Sequence, residues 1–276
     1  MREALHIMRS LAICSAVPVA LVTASPAFAH VDPVHENQSV WSLWDFSPEI
    51  VVSLIIVALI YWRGSGHGLV RGRWRARVFF AGLGALFIAL VSPVGELADH
   101  VFAVHQVEHM LLRTVTPMLL FLSAPQGALI RGSPNWLTGF FARSGWLCRL
   151  IGAMRWPPVA TLLFVAASYF WMLPKYHNLA ILNESIHYLW HLSLLLTGLI
   201  FFSVIFDRRP VPLGPGLGKR LTMFAAAALG NIVLGALLTT KDVAIYSAYV
   251  EIGRQWHVSP LTDELTGGLI MWIPAC

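Results

Sequence analysis

The sequence predicts an all-α fold, a polytopic membrane bundle of about seven transmembrane helices behind a cleaved signal peptide. Three observations lead there. Of the 276 residues, 57% are apolar and only 12% are charged, where soluble domains carry about 25% charged residues. Apolar stretches long enough to cross a bilayer recur along the chain. Lysine and arginine collect in every second connection between them, the bias that marks cytoplasmic loops. The formal charge of +5 therefore belongs to loops on one side of a membrane and points to no nucleic-acid partner.

The elements follow in order. Arg2 and Arg9, the apolar run 11–23 and Ala27-Phe28-Ala29 have the layout of a secretory signal with a small-residue cleavage site. Cleavage there leaves His30 as the new N-terminus. Residues 1–29 are read as signal peptide, 30–47 as a periplasmic N-terminal segment and 48–276 as one membrane domain. Within it, stretches 48–62, 78–93, 105–124, 157–173, 187–206 and 221–238 are each long enough to span with some tilt. A seventh begins near Leu261 and meets Cys276 before it can cross, so the last helix is expected to be truncated. Between the third and fourth spans, Trp136, Phe140, Phe141 and Trp146 alternate with Arg143, Arg149 and Arg155, which suits a helix lying along the inner interface. Residues 209–216 are a Pro- and Gly-rich connector that cannot continue a helix.

With the mature N-terminus outside, Arg63, Arg71, Arg73, Arg75 and Arg77 fall in the first inner loop. Arg131, Arg143, Arg149 and Arg155 fall in the second, and Arg208, Arg209, Lys219 and Arg220 in the third. Only Lys175, Lys241 and Arg254 fall outside. This predicts a multi-pass protein of a bacterial inner membrane with a periplasmic N-terminus and membrane lipid as its surroundings. The three cysteines, Cys14, Cys148 and Cys276, form no CxxC and no disulfide framework.

The histidines carry the chemical information. Nine of eleven, His30, His35, His100, His105, His109, His177, His187, His191 and His257, map to the outer half. His105 with His109, and His187 with His191, are spaced i, i+4 at the starts of two spans, so each pair shares a helix face. Two such helix ends side by side would supply four imidazole ligands near the outer surface. Glu108 and Glu184 stand close by as further ligands or as acceptors that fix an imidazole tautomer. Met110 is a softer ligand if it points the same way, and His30 with His35 could bind Cu(II) at the mature terminus or form a polar tail. A single interfacial histidine is usually only an amphipathic residue, but ionisable residues entering two spans in pairs suggest function. Arg113, well inside the third span, needs a partner on another helix. Tyr246, Tyr249 and Trp256 read as an aromatic belt, and Asp263 and Glu264 as caps of the last helix.

Laid out in this order, the residues resemble the multi-span bacterial CtaG family of cytochrome c oxidase assembly factors. The resemblance runs from about Trp44 to the end. It rests on His109-Met110-Leu111-Leu112, Thr116-Pro117, Ala124-Pro125, His187 to His191 and Leu234-Gly235-Ala236 with Asp242, Tyr246 and Tyr249. Its most distinctive part is the stretch 260–274. It implies an inner-membrane protein, not established as an enzyme, that acts on cytochrome c oxidase subunits by helping copper reach them. Asp242 joins the candidate ligands on this ground. The chain departs from the pattern at Glu108, where members often carry Gln, and in stopping at Cys276. Two other readings stay open. His105-Gln106-Val107-Glu108-His109 spells the H-x-x-E-H order of a zinc peptidase, and histidines on two helices could hold a haem.

Overall fold

A backbone surrounded by lipid must satisfy its own N–H and C=O groups, and the apolar stretches have accordingly become helix. The computed structural model describes residues 43–66, 73–254, 256 and 258–272, and among them no strand occurs. His30, His35, His257 and the signal-peptide site lie outside the described residues.

The order is α1 (Pro48–Ser65), α2 (Arg73–Val91), α3 (Pro93–His100), α4 (Phe102–Met110), a π-helical turn at Leu111–Val115, then α5 (Thr116–Leu122) and α6 (Gln126–Gly132). It continues with α7 (Asn135–Arg143), α8 (Gly145–Met154), α9 (Pro157–Met172), α10 (Pro174–Ile181) and α11 (Glu184–Ile205). The last three are α12 (Leu217–Thr239), α13 (Ala248–Ile252) and α14 (Pro260–Trp272).

Four of these, α1, α2, α11 and α12, are long and apolar enough to cross a membrane alone. The pair α8 and α9, bent by 76°, makes a fifth if taken as one span. That is fewer than the seven the hydropathy predicts, for local reasons. Pro174 follows closely on α9 and limits it to 16 residues, and α14 covers 13. The stretch 105–124 is interrupted at its centre. Pro117 has no N–H to offer the Arg113 carbonyl, and its ring would clash with that carbonyl in a regular α turn. The backbone widens into the π turn Leu111–Val115 instead. Gly198 of α11 sits against this turn, where a Cβ would overlap the Arg113 carbonyl and lie 2.9 Å from the Pro117 ring. Only glycine lets α11 approach so closely.

The segment expected along the interface is two short helices, α7 and α8. No residue of α8 is buried, and Trp136, Phe140 and Trp146 stand exposed. The core has two parts. Phe79, Leu86, Phe121, Phe164, Phe201 and Phe202 belong to the larger, and Phe102, Trp171, Trp190, Tyr246 and Tyr249 to the smaller. The 22 residues of α11 extend about 33 Å and link the two ends of the bundle. At the far end Asp207 meets Arg155 at 3.1 Å and Arg209 at 2.6 Å, while Arg220 donates to the Ile205 and Asp207 carbonyls. Burial works against the Asp207 carboxylate, but the Arg209 hydrogen bonds and the nearby Arg155 charge outweigh it and lower its pKa. The described histidines, His100, His105, His109, His177, His187 and His191, occupy the opposite end.

Candidate metal centre

Helix α4 is preceded by Val101, which offers no side-chain cap. Its orphan N–H groups are met from across the bundle. Asp263 on α14 accepts from the Phe102 N–H and the Ala103 N–H, both at 2.9 Å, and pairs with Arg254. Glu264 likewise accepts from the backbone N–H groups of Ile245 at 3.0 Å and Tyr246 at 2.9 Å and pairs with Lys241. Asp263 does sit in the first turn of its own helix, where a carboxylate complements the dipole, but the hydrogen bonds of both acids go to other segments. Ser259 Oγ takes the Thr262 N–H of α14 at 3.1 Å, and the acids serve neighbouring backbone whose donors would otherwise be buried without partners. Helix α11 is capped within its own segment, Asn183 Oδ1 accepting from the Ile186 N–H at 3.1 Å.

These two helix starts bring the histidines together. One ligand atom each from His105, Glu108, His187 and His191 lies within 4.8 Å of all the others. Ring centroids are 5.3 Å apart for His105 and His187, and 4.3 Å for His187 and His191. His191 Nε2 is 3.6 Å from Glu108 Oε1, and His187 Nδ1 is 3.3 Å from Asp99 Oδ1. His105 Nδ1 lies 3.2 Å from the Ala98 carbonyl. A carbonyl only accepts, so Nδ1 carries the proton and Nε2 keeps a bare lone pair. That Nε2 is buried without a hydrogen-bond partner, as are His187 Nε2, His191 Nε2 and Glu108 Oε2. Buried polar atoms normally find partners, and a set left open together calls for a ligand. Metal bonds of about 2 Å at tetrahedral angles place ligand atoms about 3.3 Å apart, so small side-chain rotations would close the group on one ion.

His109 stands at the edge of the group, its ring 4.0 Å from His105, 4.4 Å from Trp190 and 5.4 Å from His191. It faces a second cavity that Met110 also lines. Glu184 is beside the cluster, lining with Asp99, Glu108, His187 and His191 a cavity of about 130 Å³. Asp242 is exposed on the connection after α12 and is not in the group. Tyr246 and Tyr249 are buried rather than forming a belt toward lipid. Tyr246 OH donates to the Met172 carbonyl at 2.8 Å, and Tyr249 OH lies 3.1 Å from His177 Nε2. The physical reason is the Glu264 anchor, which folds their segment inward over His177 and Phe102.

Two participants escaped the pattern of paired histidines. His177 is fully buried, its ring 5.8 Å from His105. Asp99 comes from α3, a helix that hydropathy did not announce. Its start was legible in Ser92-Pro93 followed by Glu96, and Ser92 Oγ does accept the Val94 N–H at 3.3 Å. Burial pushes the Asp99 carboxyl up to about 7, against the pull of His100 and with the help of Glu184. Arg113 finds neutral partners, donating to Asn231 Oδ1 at 3.2 Å and to the Phe164 carbonyl at 3.0 Å.

The fold and site together define an all-helical protein with membrane-spanning helices and an imidazole–carboxylate cluster buried at one end of its bundle. The sequence places it further. The chain belongs to the cytochrome c oxidase caa3 assembly factor family (Caa3_CtaG), whose model matches residues 54–276. No curated relative and no solved structure matches the chain.

Proposed function

We propose that this protein is an inner-membrane assembly factor that passes copper to a haem-copper cytochrome c oxidase through the cluster of His105, Glu108, His187 and His191. The observation that carries the reading is that His105, Glu108, His187 and His191 each bring a ligand atom within 4.8 Å of the others while each keeps a buried nitrogen or oxygen without a hydrogen-bond partner. The mature N-terminus and the histidine end face the periplasm, because the arginine-rich connections occupy the other end. Copper is cargo here. Imidazole binds copper, zinc, iron and nickel alike, so the choice of copper rests on the family's oxidase. The carboxylates of Glu96, Asp99 and Glu184 around the small cavity beside the cluster would draw a cation toward it. A transfer site must also release its ion, and a mixed nitrogen and oxygen set at loose spacing holds a soft ion less firmly than thiolates would.

The rival arrangements find less support. A zinc peptidase would take both His105 and His109 as ligands with Glu108 as base, whereas Glu108 sits inside the ligand group and His109 at its edge. A haem held by two histidines would need a slot between the imidazoles, but the cavity beside His187 and His191 measures about 130 Å³, and the second cavity is lined by a single histidine, His109. No reaction is assigned to the protein.

The test is metal binding by the purified full-length protein, with Cu(I) and Zn(II) titrated against competing chelators. One Cu(I) per chain, lost on replacing His105 and His187 together by Ala, is the expected result. Equal Cu(I) binding by that double variant would overturn the cluster as the site.

A further inference from the structure

On the far side of His109 lies a larger cavity of about 370 Å³. Its wall is mostly apolar, formed by Met118, Phe164, Met172, Phe201 and Ile270 among others, with Gln106, His109, Thr114, Ser168 and Asn231 as neutral polar points and Arg113 as its cation. Arg113 is 6% exposed. Its guanidinium carbon lies 3.8 Å from the centre of the Phe164 ring, and its two hydrogen-bond acceptors, Asn231 Oδ1 and the Phe164 carbonyl, are both neutral. Its Nε–H is buried with no acceptor. Among the described residues no carboxylate pairs with it, the ion pairs there belonging to Arg155, Arg209, Lys241, Arg254, His187 and His191.

A cation inside an apolar bundle is costly, and such residues usually pair with an anion or mark a ligand path. Here no anion pairs with it among the described residues, and a cavity of ligand size adjoins the charge. Small-molecule sites are mostly apolar, of about 300–1,000 Å³, with a few polar groups that orient the ligand. We infer that this cavity binds a single-chain amphiphile of the fatty-acid class, its carboxylate held by Arg113 and its hydrocarbon tail among the Phe, Met and Ile side chains. The planar guanidinium fork matches a carboxylate. A carboxylic acid can also cross apolar surroundings in its neutral form, which a phosphodiester headgroup cannot. The site stands independently of metal binding at the histidine cluster.

The experiment uses the full-length protein in a neutral maltoside detergent, irradiated with a palmitate that carries a diazirine in its chain, with adducts mapped by peptide mass spectrometry. Labelling is expected on the α9, α11 and α12 residues that line the cavity. Free palmitate should compete, and hexadecanol and methyl palmitate should not. Arg113→Gln should reduce labelling at least about tenfold, the loss of a charge-assisted contact. Arg143→Gln, on the exposed end of α7, should leave it unchanged. Should Arg113→Gln fail to fold, the comparison of acid, alcohol and ester on the unaltered protein decides the matter. Labelling elsewhere, equal competition by hexadecanol, or equal competition by phosphatidylglycerol would each overturn the assignment.

Discussion

Replacing Asp263 tests how the histidine site is held in place. This carboxylate is 2% exposed and serves three donors, the Phe102 and Ala103 N–H groups at 2.9 Å and the Arg254 guanidinium. Asp263→Ala strands all three in a buried setting. Each orphaned donor costs about 1–3 kcal/mol, and removing one partner of a buried ion pair costs about 3–5 kcal/mol. The terms overlap, since Arg254 is counted in both, so about 4 kcal/mol is the reasonable expectation. That is a large fraction of the ~5–15 kcal/mol stability of a folded domain, and it corresponds to a fall in Tm of about 10 °C. Asp263→Asn keeps one carbonyl oxygen for the α4 N-terminus and should lose about half as much. Because α4 carries His105 and Glu108, the Ala variant should also bind Cu(I) more weakly at temperatures where it is still folded. Thermal unfolding followed by circular dichroism, together with chelator competition, reads both effects. A Tm within about 2 °C of the unaltered protein, less than ~1 kcal/mol, would refute the claim that Asp263 anchors the site.

Other expectations follow from the same contacts. Gly198→Ala puts a methyl group into the Arg113 carbonyl and the Pro117 ring, and overpacking of about 1–3 kcal/mol should lower Tm by about 5 °C, whereas Gly84→Ala, with open space around it, should be neutral or slightly stabilising. Asp207 has a lowered pKa in the folded protein, so its contribution is complete above the unfolded value of about 3.9 and is lost as pH falls through the folded value. A plot of Tm against pH should therefore drop more steeply below about pH 4 for the unaltered protein than for Asp207→Asn, and parallel curves would contradict this. His191→Ala and Glu108→Gln should each weaken Cu(I) binding, and the double variant should be little worse than the weaker single one, because both act on one ligand group. Additive losses in chelator competition would mean that the two residues serve different sites.

Hydropathy and loop charges made the helical membrane character legible, since both depend only on composition along the chain. The i, i+4 spacing of His187 and His191 was equally informative, because they sit on the uninterrupted helix α11. The number of independent spans was less legible. Pro117 converts an apolar stretch into α4, a π turn and α5, and a hydropathy window averages over such a break. His105 and His109 both lie on α4 ahead of that break, their rings 4.0 Å apart, and it is the packing around them that sets His109 against the larger cavity. Asp99, His177 and the trans-helix caps of Asp263 and Glu264 depend on contacts between residues 18 to 160 positions apart. No local spacing records these. Arg113 announced itself as a buried charge, but its neutral partners Asn231 and Phe164 could be named only once α9 and α12 were packed beside it.

The central claim, that the histidine cluster passes copper to the oxidase, is tested most directly by the metal content of oxidase purified from three strains: unaltered, deleted for this protein, and carrying His187→Ala with His191→Ala. Copper in the catalytic centre should fall sharply in both altered strains while haem is largely retained, and the variant protein should remain in the membrane at normal level. Fully metallated, active oxidase in the deletion strain would contradict the assembly role, and normal oxidase in the histidine variant would contradict the copper route through this cluster.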